Sequence, residues 1–390
     1  MRQMAFEPTY AVKARRGRPW GLDVATPYDF AIGHPDRDRF PVEELAEATR
    51  RVLERERGRL ALYPGEELHR PTRELVAQKY TLEEGLEVPV DEITITGGSL
   101  QGLTMIAESF IDPGDTVVVE EFTYQGTLRA FDSCRPRYAT IPVDDEGMIV
   151  DELEAVLDRL AHEGVTPKFV YVITDFQNPT GVVMSERRRR ALMDVATGRG
   201  LLVIEDDVYG DLIFEGVPQA SLYGMRRTDN VIRLGTFSKI VGAGVRVGWI
   251  VAPPSILSHL ATTKIDGGTS SFSSLAVAEY LQGRLETRVA EMRTVYRTKR
   301  DAMLDALDTH FGGLAEWSRP RGGLFIWVRL PEGFDSVARL ADAHAAGVDY
   351  LPGPNFSPSG QGANYLRLSF AYLSVEEIRA GLAILADVVG

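Results

Sequence analysis

The 390-residue sequence predicts an α/β fold, with a mainly parallel sheet in a large domain and a smaller α+β domain after it. Short apolar runs rich in β-branched residues are typical of strands buried on both faces, and four occur at 116–119, 169–173, 201–204 and 231–234. Helical stretches separate most of these runs, as expected for parallel strands. After about residue 285 the pattern changes to one long charged helix followed by short strands, which predicts the second domain.

The first predicted helix begins at Pro41, after an irregular, charge-rich arm that runs to about Phe40. Its apolar residues recur at the spacing of one helix face, and they are Val42, Leu45, Ala46, Thr49, Val52 and Leu53. A strand is expected over 92–96, and a helix follows it from about Leu100.

The next helix is predicted by one apolar stripe, with Gly164 as its stop: Val150, Leu153, Val156, Leu157 and Leu160. Another helix is expected over 185–197, where Ser185 can cap the N-terminus and Gly198 the C-terminus. The last hundred residues predict a helix over 287–307, strands over 324–330 and 365–370, and a closing helix.

These elements predict three units along the chain. An N-terminal arm and the first helix occupy 1–48 and are expected to pack with the small domain. The large domain is expected over 49–284 and the small C-terminal domain over 285–390.

Composition excludes several classes of function. Asp and Glu number 56 against 43 Lys and Arg, and the resulting formal charge of −13 argues against a nucleic-acid partner. Cys134 is the only cysteine, so an intrachain disulfide is excluded and a reducing, cytoplasmic setting is expected. Residues 1–20 lack the apolar stretch of a signal peptide, and no apolar run reaches the length of a membrane span. The six histidines lack metal-ligand spacing, so no metal site is expected.

Chemically distinctive residues follow the predicted strands, at the edge where parallel sheets bind ligands. They are an amide, a carboxylate with a nearby phenol, and a lysine: Asn178, Asp206, Tyr209 and Lys239. A small-residue turn at 97–99 opens a helix and offers backbone N–H groups to a phosphate. A phosphate site, an imine-forming lysine, a carboxylate for a ring nitrogen, and polar groups for a ring oxygen are what pyridoxal 5'-phosphate (PLP) requires.

Five segments carry a family resemblance: 173–181, 205–209, 235–248, 321–325 and 364–370. Through them the sequence resembles fold-type I PLP enzymes of the class I/II aminotransferase family, from about residue 29 to the C-terminus. It is most similar to the subgroup of 2-aminoadipate aminotransferases and the aminotransferase-like domains of MocR regulators.

The resemblance implies that the large domain binds PLP, with Lys239, Asp206 and Tyr209 as catalytic residues. Lys239 would form the imine with the cofactor, and Asp206 would pair with the ring nitrogen and keep it protonated. Tyr209 and Asn178 would bind the phenolic oxygen, and Tyr124 would stack on the ring. The phosphate would be held by Ser99, the amides of Leu100 and Gln101, Ser238 and Arg246.

The resemblance also implies how substrate and partner bind. Arg367 would clamp the substrate α-carboxylate at two points, with Asn178 and Gly33 as further substrate-binding residues. Tyr63, ten residues before Arg73, would reach the phosphate of a neighbouring subunit. The resemblance therefore implies a homodimer with shared active sites.

The expected reaction is transfer of an amino group between an L-amino acid and a 2-oxo acid. The pocket departs from the family pattern at Leu68, Thr72, Phe122, Ala243 and 266–272, which leaves two alternatives open. One is β-elimination from an S-substituted cysteine, and the other is decarboxylation coupled to oxidative deamination in a natural-product pathway. A non-catalytic effector-sensing module is a third hypothesis, against which the short N-terminal segment and the negative charge argue.

Overall fold

The computed structural model describes residues 26–225 and 229–390, so the first 25 residues of the predicted 1–48 unit lie outside the described residues. The strands are β1 (Tyr28–Asp29), β2 (Ile93–Thr96), β3 (Thr116–Glu120), β4 (Arg137–Ile141), β5 (Val143–Asp144), β6 (Gly147–Met148), β7 (Phe169–Val172), β8 (Leu202–Asp206), β9 (Val231–Thr236), β10 (Gly248–Val251), β11 (Glu316–Trp317), β12 (Phe325–Arg329), β13 (Val348–Asp349), β14 (Leu351–Pro352) and β15 (Tyr365–Ser369).

α-Helices precede, separate and follow these strands. They are α1 (Val42–Glu56), α2 (Arg70–Glu84), α3 (Ser99–Phe110), α4 (Gln125–Asp132), α5 (Val150–His162), α6 (Glu186–Arg199), α7 (Leu222–Met225), α8 (Pro254–Thr263), α9 (Ser271–Leu281), α10 (Leu285–His310), α11 (Leu340–Ala345) and α12 (Val375–Val389).

A seven-stranded sheet in the order β2-β10-β9-β8-β7-β3-β4 forms the centre of the structure. β10 runs antiparallel to both of its neighbours, and the other adjacent pairs are parallel. This sheet confirms the predicted α/β class with a mainly parallel sheet. All four predicted apolar runs became strands of it, because continuous β-branched runs suit positions buried on both faces.

The two faces of this sheet bury two separate apolar cores. Val118, Val170 and Val203 face α5 and α6, whereas Val119 and Ile204 face the larger core on the other side. Successive residues of a strand point to opposite faces, so each strand contributes to both cores.

A four-stranded antiparallel sheet in the order β11-β12-β15-β14 follows in the last third of the chain. β1 pairs in parallel with β13, which joins the arm to this part of the protein. A buried ion pair of 2.6 Å between Asp36 and Lys299 attaches the arm to α10 as well. The domain boundaries at 48 and 284 stay a prediction.

The buried face of α1 differs from the predicted one. Ala48 and Val52 are fully buried, whereas Val42 and Leu53, which belong to the predicted apolar face, are 60% and 48% exposed. α1 packs against α9, and this packing leaves part of the predicted apolar face in solvent.

The end of α6 also differs from the prediction. Gly198 lies inside the helix, and Gly200 caps it in the left-handed conformation, with φ of 63°. Ser185 does cap the N-terminus, where its side chain accepts from the Arg188 N–H. Gly164 has φ of 72° just after α5, as its predicted stop requires.

No helix within residues 26–225 and 229–390 is both long enough and apolar enough to cross a membrane. Across the same described ranges, no group of three or more His, Cys, Asp or Glu residues is arranged to hold a metal ion.

Candidate active site

Adjacent parallel strands bring the predicted residues together at one edge of the central sheet. Asp206 ends β8 and is paired with Leu234 of β9, and Lys239 lies three residues beyond the end of β9. Asn178 lies in the loop after β7. These residues meet because parallel strands carry their carboxyl ends to the same edge.

Lys239 lies beneath the N-terminal arm. Its ammonium donates to the carbonyl oxygen of Gly33 at 2.8 Å and lies 5.7 Å from the ring centroid of Tyr209. Burial, together with the positive charges of Arg367 and Arg246, lowers the pKa of Lys239 to about 8, and the Asp206 carboxylate acts in the opposite direction. A lowered pKa makes the neutral amine available near neutral pH, as an imine-forming lysine requires.

The two carboxylate oxygens of Asp206 have different surroundings. Oδ2 accepts a hydrogen bond from the Tyr171 hydroxyl at 2.5 Å, whereas Oδ1 is buried without a partner among the described residues. Burial raises the pKa of Asp206 to about 6, while the Tyr171 hydrogen bond and the Lys239 charge act in the opposite direction. A buried oxygen without a partner is costly, so Oδ1 is suited to a protonated ring nitrogen.

The side-chain amide of Asn178 connects Tyr209 to Arg367. Its Nδ2 donates to the Tyr209 hydroxyl at 3.3 Å, and its Oδ1 accepts from Nη1 of Arg367 at 3.4 Å. Burial is the main cause that raises the pKa of Tyr209 far above 10, so this phenol keeps its proton. Asn178 therefore contacts both the predicted ring-oxygen donor and the predicted carboxylate clamp.

Arg367 is a buried cation in the middle of β15, with 2% exposure. Its guanidinium carbon lies 4.1 Å from the ring centroid of Phe325, and Nη2 donates to the carbonyl oxygen of Ala31. Its Nε is buried and lacks a partner in the described part of the chain. Burial lowers the pKa of Arg367 to about 10, which still leaves it charged at neutral pH, so it can bind a carboxylate.

The predicted phosphate cradle lies between the 97–99 turn, Ser238 and Arg246. Ser99 and Leu100 open α3, so their N–H groups have no acceptor within the helix. Arg246 donates from Nη2 to the Gly97 carbonyl oxygen at 2.6 Å. Two positive groups, a helix N-terminus and a guanidinium, thus converge on one small region.

Glycine is required at position 98 of this cradle. Gly98 has φ of 88°, and a Cβ there would lie 2.8 Å from Cζ of Arg246. A side chain at position 98 would therefore cause backbone strain and would clash with the guanidinium.

Ser238 is 6% exposed, and its hydroxyl lies 2.8 Å from that of Thr236.

The structure uses Gln101 differently from the other predicted phosphate donors. Its backbone N–H donates to the Gly98 carbonyl oxygen at 3.2 Å, and its side-chain oxygen accepts from the Gly97 N–H at 2.6 Å. Its side-chain amide also donates to Asp266. Gln101 thus shapes the turn and links it to the 266–272 loop.

The two predicted aromatic contacts have different positions. Tyr124 lies at the start of α4 near Asp206, since burial and then the Asp206 charge raise the pKa of this phenol. Tyr63 is 89% exposed and is not brought together with Lys239 within one chain. A stacking role for Tyr124 and a role across subunits for Tyr63 remain predictions.

Sequence reasoning missed several residues that shape this site. Tyr171, which lies in the apolar strand β7, donates a hydrogen bond to Asp206, and the ring of Phe325 packs against the guanidinium of Arg367. Glu120 is buried, and its carboxylate accepts from the Gln177 side chain at 3.2 Å just before Asn178. The signal for Tyr171 was a lone hydroxyl in a run of buried apolar residues, because such a hydroxyl needs a partner.

The free oxygen of Asp206 and the cradle at α3 both fit PLP, one at its ring nitrogen and the other at its phosphate. On this central sheet they define a fold-type I PLP-dependent enzyme. The chain belongs to the aminotransferase class I and II family, which it matches over residues 26–385. It is therefore an aminotransferase with PLP as its cofactor.

Two relatives illustrate the similarity in sequence. An aromatic-amino-acid aminotransferase of Thermococcus litoralis is 39% identical over 94% of this chain and 89% of its own length. A 2-aminoadipate transaminase of Thermus thermophilus is 38% identical over 90% of this chain and 87% of its own length.

Solved structures share the same fold. The α-aminoadipate aminotransferase LysN of Thermus thermophilus, complexed with N-(5'-phosphopyridoxyl)-L-leucine, is 37% identical with a TM-score of 0.87, and the match covers 93% of this chain and 92% of that one. A kynurenine aminotransferase of Pyrococcus horikoshii is 36% identical with a TM-score of 0.91, covering 97% of this chain and 96% of that one.

Proposed function

We propose that this aminotransferase moves the α-amino group between L-amino acids with aromatic or long side chains and 2-oxo acids. The observation that carries the proposal is Arg367, a buried guanidinium bonded to Asn178 beside the Lys239 site. The aromatic rings of Phe325 and Phe356 lie 4.1 and 5.3 Å from its guanidinium carbon, which supports an apolar substrate side chain. The names of the relatives, which include aromatic-amino-acid and aminoadipate enzymes, support the same class.

Each group at the site has a task in this proposal. Arg367 binds the α-carboxylate and thereby directs the α-carbon of the substrate towards Lys239. The neutral amine of Lys239 removes the proton from the α-carbon of the amino acid. In the reaction with the acceptor, the Lys239 ammonium returns a proton to the α-carbon of the 2-oxo acid. When bound, PLP supplies the electron sink that makes this proton acidic.

The remaining residues hold the cofactor in the proposed arrangement. Asp206 pairs with the ring nitrogen through Oδ1, and Tyr209 and Asn178 bind the phenolic oxygen. Tyr124 covers the ring. The phosphate is held by Ser99, Leu100, Ser238 and Arg246, with Gln101 supporting the turn that presents them.

A labelling experiment tests the reaction. The holoenzyme is incubated with ¹⁵N-labelled L-phenylalanine, L-leucine, L-2-aminoadipate or L-aspartate, each with 2-oxoglutarate, and the products are identified by mass. We expect ¹⁵N in newly formed glutamate, with the first three donors preferred to aspartate. A parallel incubation in air, with the same donors and with an S-substituted cysteine, tests the alternatives. Release of a thiol with ammonia would establish elimination, and release of carbon dioxide with ammonia would establish decarboxylation-coupled deamination; no feature of the described site favours either.

We further propose that the enzyme works as a homodimer in the cytoplasm. Leu62, Tyr63 and Ile265 are 67%, 89% and 92% exposed, an unusual exposure for large apolar groups. Lys264, next to Ile265, donates to Gln101 at 3.0 Å, so this apolar surface adjoins the phosphate cradle. The placement supports a second copy whose Tyr63 reaches the phosphate.

Light scattering on a sizing column tests the assembly. We expect the mass of two chains for the unchanged protein and of one chain for the variant Ile265→Asp, with loss of PLP affinity in the variant. Val217→Asp is a matched control, since Val217 is 73% exposed and does not adjoin the cradle. A monomer with full activity would contradict the proposal.

A further inference from the structure

We propose that Tyr171 is a positioning residue, which holds Oδ2 of Asp206 so that Oδ1 alone is presented to the cofactor ring. This inference rests on the proposed function, since it takes Asp206 as the partner of the ring nitrogen. Tyr171 acts through Asp206 and is therefore not a catalytic residue itself.

The strand register directs Tyr171 at Asp206. Tyr171 of β7 is paired with Ile204 of β8, so both side chains leave the same face of the sheet as Asp206, two residues further along β8. Tyr171 is fully buried, and its hydroxyl oxygen lies 2.5 Å from Oδ2 of Asp206. Packing on every side leaves this phenol little freedom to choose another partner.

A second hydrogen bond fixes the direction in which Tyr171 donates. The Thr127 hydroxyl donates to the Tyr171 oxygen at 2.9 Å, which leaves the tyrosine proton for Asp206. Burial, followed by the Asp206 charge, raises the pKa of Tyr171 well above 10, so the phenol remains a donor. Successive hydrogen bonds from Thr127 to Tyr171 to Asp206 strengthen one another in a buried site.

The hydrogen bond has two consequences for Asp206. It occupies Oδ2, so Oδ1 is the carboxylate oxygen without a hydrogen-bond partner in the described part of the chain. It also opposes the effect of burial, because a donor favours the ionised form. The Lys239 charge also favours the ionised form of Asp206. The Asp206 charge in turn raises the pKa of the neighbouring titratable groups Glu120, Tyr124 and Tyr209.

The variant Tyr171→Phe removes the donor and keeps the ring. Its dissociation constant for PLP is measured from the apoprotein by fluorescence quenching between pH 5 and 9. We expect the constant to rise about tenfold at neutral pH, the effect of losing one hydrogen bond to a charged group. PLP should also be lost at a higher pH on acidification, because the pKa of Asp206 rises. In turnover assays kcat should fall while KM for the amino acid is unchanged, since Arg367 is intact.

Two further variants complete the experiment. Tyr138→Phe is the matched control. The Tyr138 hydroxyl donates to Asp132 over a distance of 2.9 Å, and this pair lies outside the candidate active site, so we expect wild-type PLP binding from the variant. Thr127→Val removes the donor to Tyr171 and should change the same quantities in the same direction by a smaller factor. This variant keeps the test decisive should Tyr171→Phe not fold.

The outcomes separate this inference from the proposed function. Wild-type PLP affinity and an unchanged pH profile in folded Tyr171→Phe, or in Thr127→Val where Tyr171→Phe does not fold, would overturn the role of Tyr171. A lowered melting temperature as the sole effect would do the same, since it would show a structural role. Wild-type PLP affinity in Asp206→Ala would instead overturn the assignment of Asp206 in the proposed function.

Discussion

The ammonium of Lys239 donates a hydrogen bond of 2.8 Å to the backbone carbonyl of Gly33, across 206 positions of sequence. Two residues earlier, the Ala31 carbonyl accepts from Arg367. The arm thus provides hydrogen-bond acceptors for the two cationic side chains that are proposed to contact the substrate. In the proposed reaction a substrate carboxylate would take the place of the Ala31 carbonyl at Arg367, and the arm would then form part of the binding site.

The lowered pKa of Lys239 predicts how the apoprotein reacts with PLP. The rate of cofactor attachment should rise with pH and level off above about 8, because the neutral amine is the reacting form. In Arg367→Gln the curve should move to higher pH, since a nearby positive charge has been removed. Stopped-flow absorbance over a pH series measures both curves. An unchanged midpoint in the variant would show that Arg367 does not act on Lys239.

Loss of the Arg367 guanidinium should impair substrate binding far more than cofactor binding. Arg367→Gln is expected to raise KM for the amino acid by roughly 100-fold, because a bidentate charge-assisted pair is lost. Arg329→Gln is a suitable control, as Arg329 lies exposed on neighbouring β12 and pairs with Glu316. Steady-state kinetics of both variants, with PLP content determined separately, would decide the point. The same KM in Arg367→Gln as in Arg329→Gln would show that Arg367 does not bind the substrate.

The Gly98 position predicts a defect confined to phosphate binding. Gly98→Ala would place a Cβ 2.8 Å from Cζ of Arg246 at φ of 88°, so both the turn and the guanidinium must shift. We expect PLP affinity to fall about tenfold, whereas affinity for pyridoxal, which lacks the phosphate, should change little. Gly85→Ala shares a positive φ of 63° with open space around it, and it should leave PLP affinity intact. Equal losses for PLP and pyridoxal would contradict this account.

The buried pair of Asp36 and Lys299 should contribute strongly to folding. Lys299→Met leaves the Asp36 carboxylate buried without its cation, and we expect the free energy of unfolding to fall by about 3 kcal/mol. Glu54→Gln, which breaks an exposed ion pair with Arg50, should change it by less than about 0.5 kcal/mol. Urea denaturation of the three proteins provides the comparison. Similar losses in the free energy of unfolding for Lys299→Met and Glu54→Gln would mean that the Asp36 carboxylate is not buried in solution.

Much of the fold and part of the site followed from local patterns in the sequence. The four apolar runs predicted the inner parallel strands, and the residues after them predicted Asn178, Asp206 and Lys239 as neighbours at one sheet edge. Such predictions succeed because strand patterns and turn residues depend on nearby sequence, and parallel strands present their ends together. The buried face of α1 could not be predicted this way, since the neighbouring helix decided it.

The sequence by itself determined the fold class, the cofactor and the family, because these depend on residue types at fixed local spacing. Tertiary structure alone decided that Gly33 contacts Lys239, that Tyr171 donates to Oδ2 of Asp206, and that Oδ1 has no hydrogen-bond partner among residues 26–225 and 229–390. These contacts join segments far apart in the chain, and their geometry depends on the register of β7 against β8 and on the packing of the arm against α10. Periodicity in a sequence does not encode such distances, which packing of the whole chain sets.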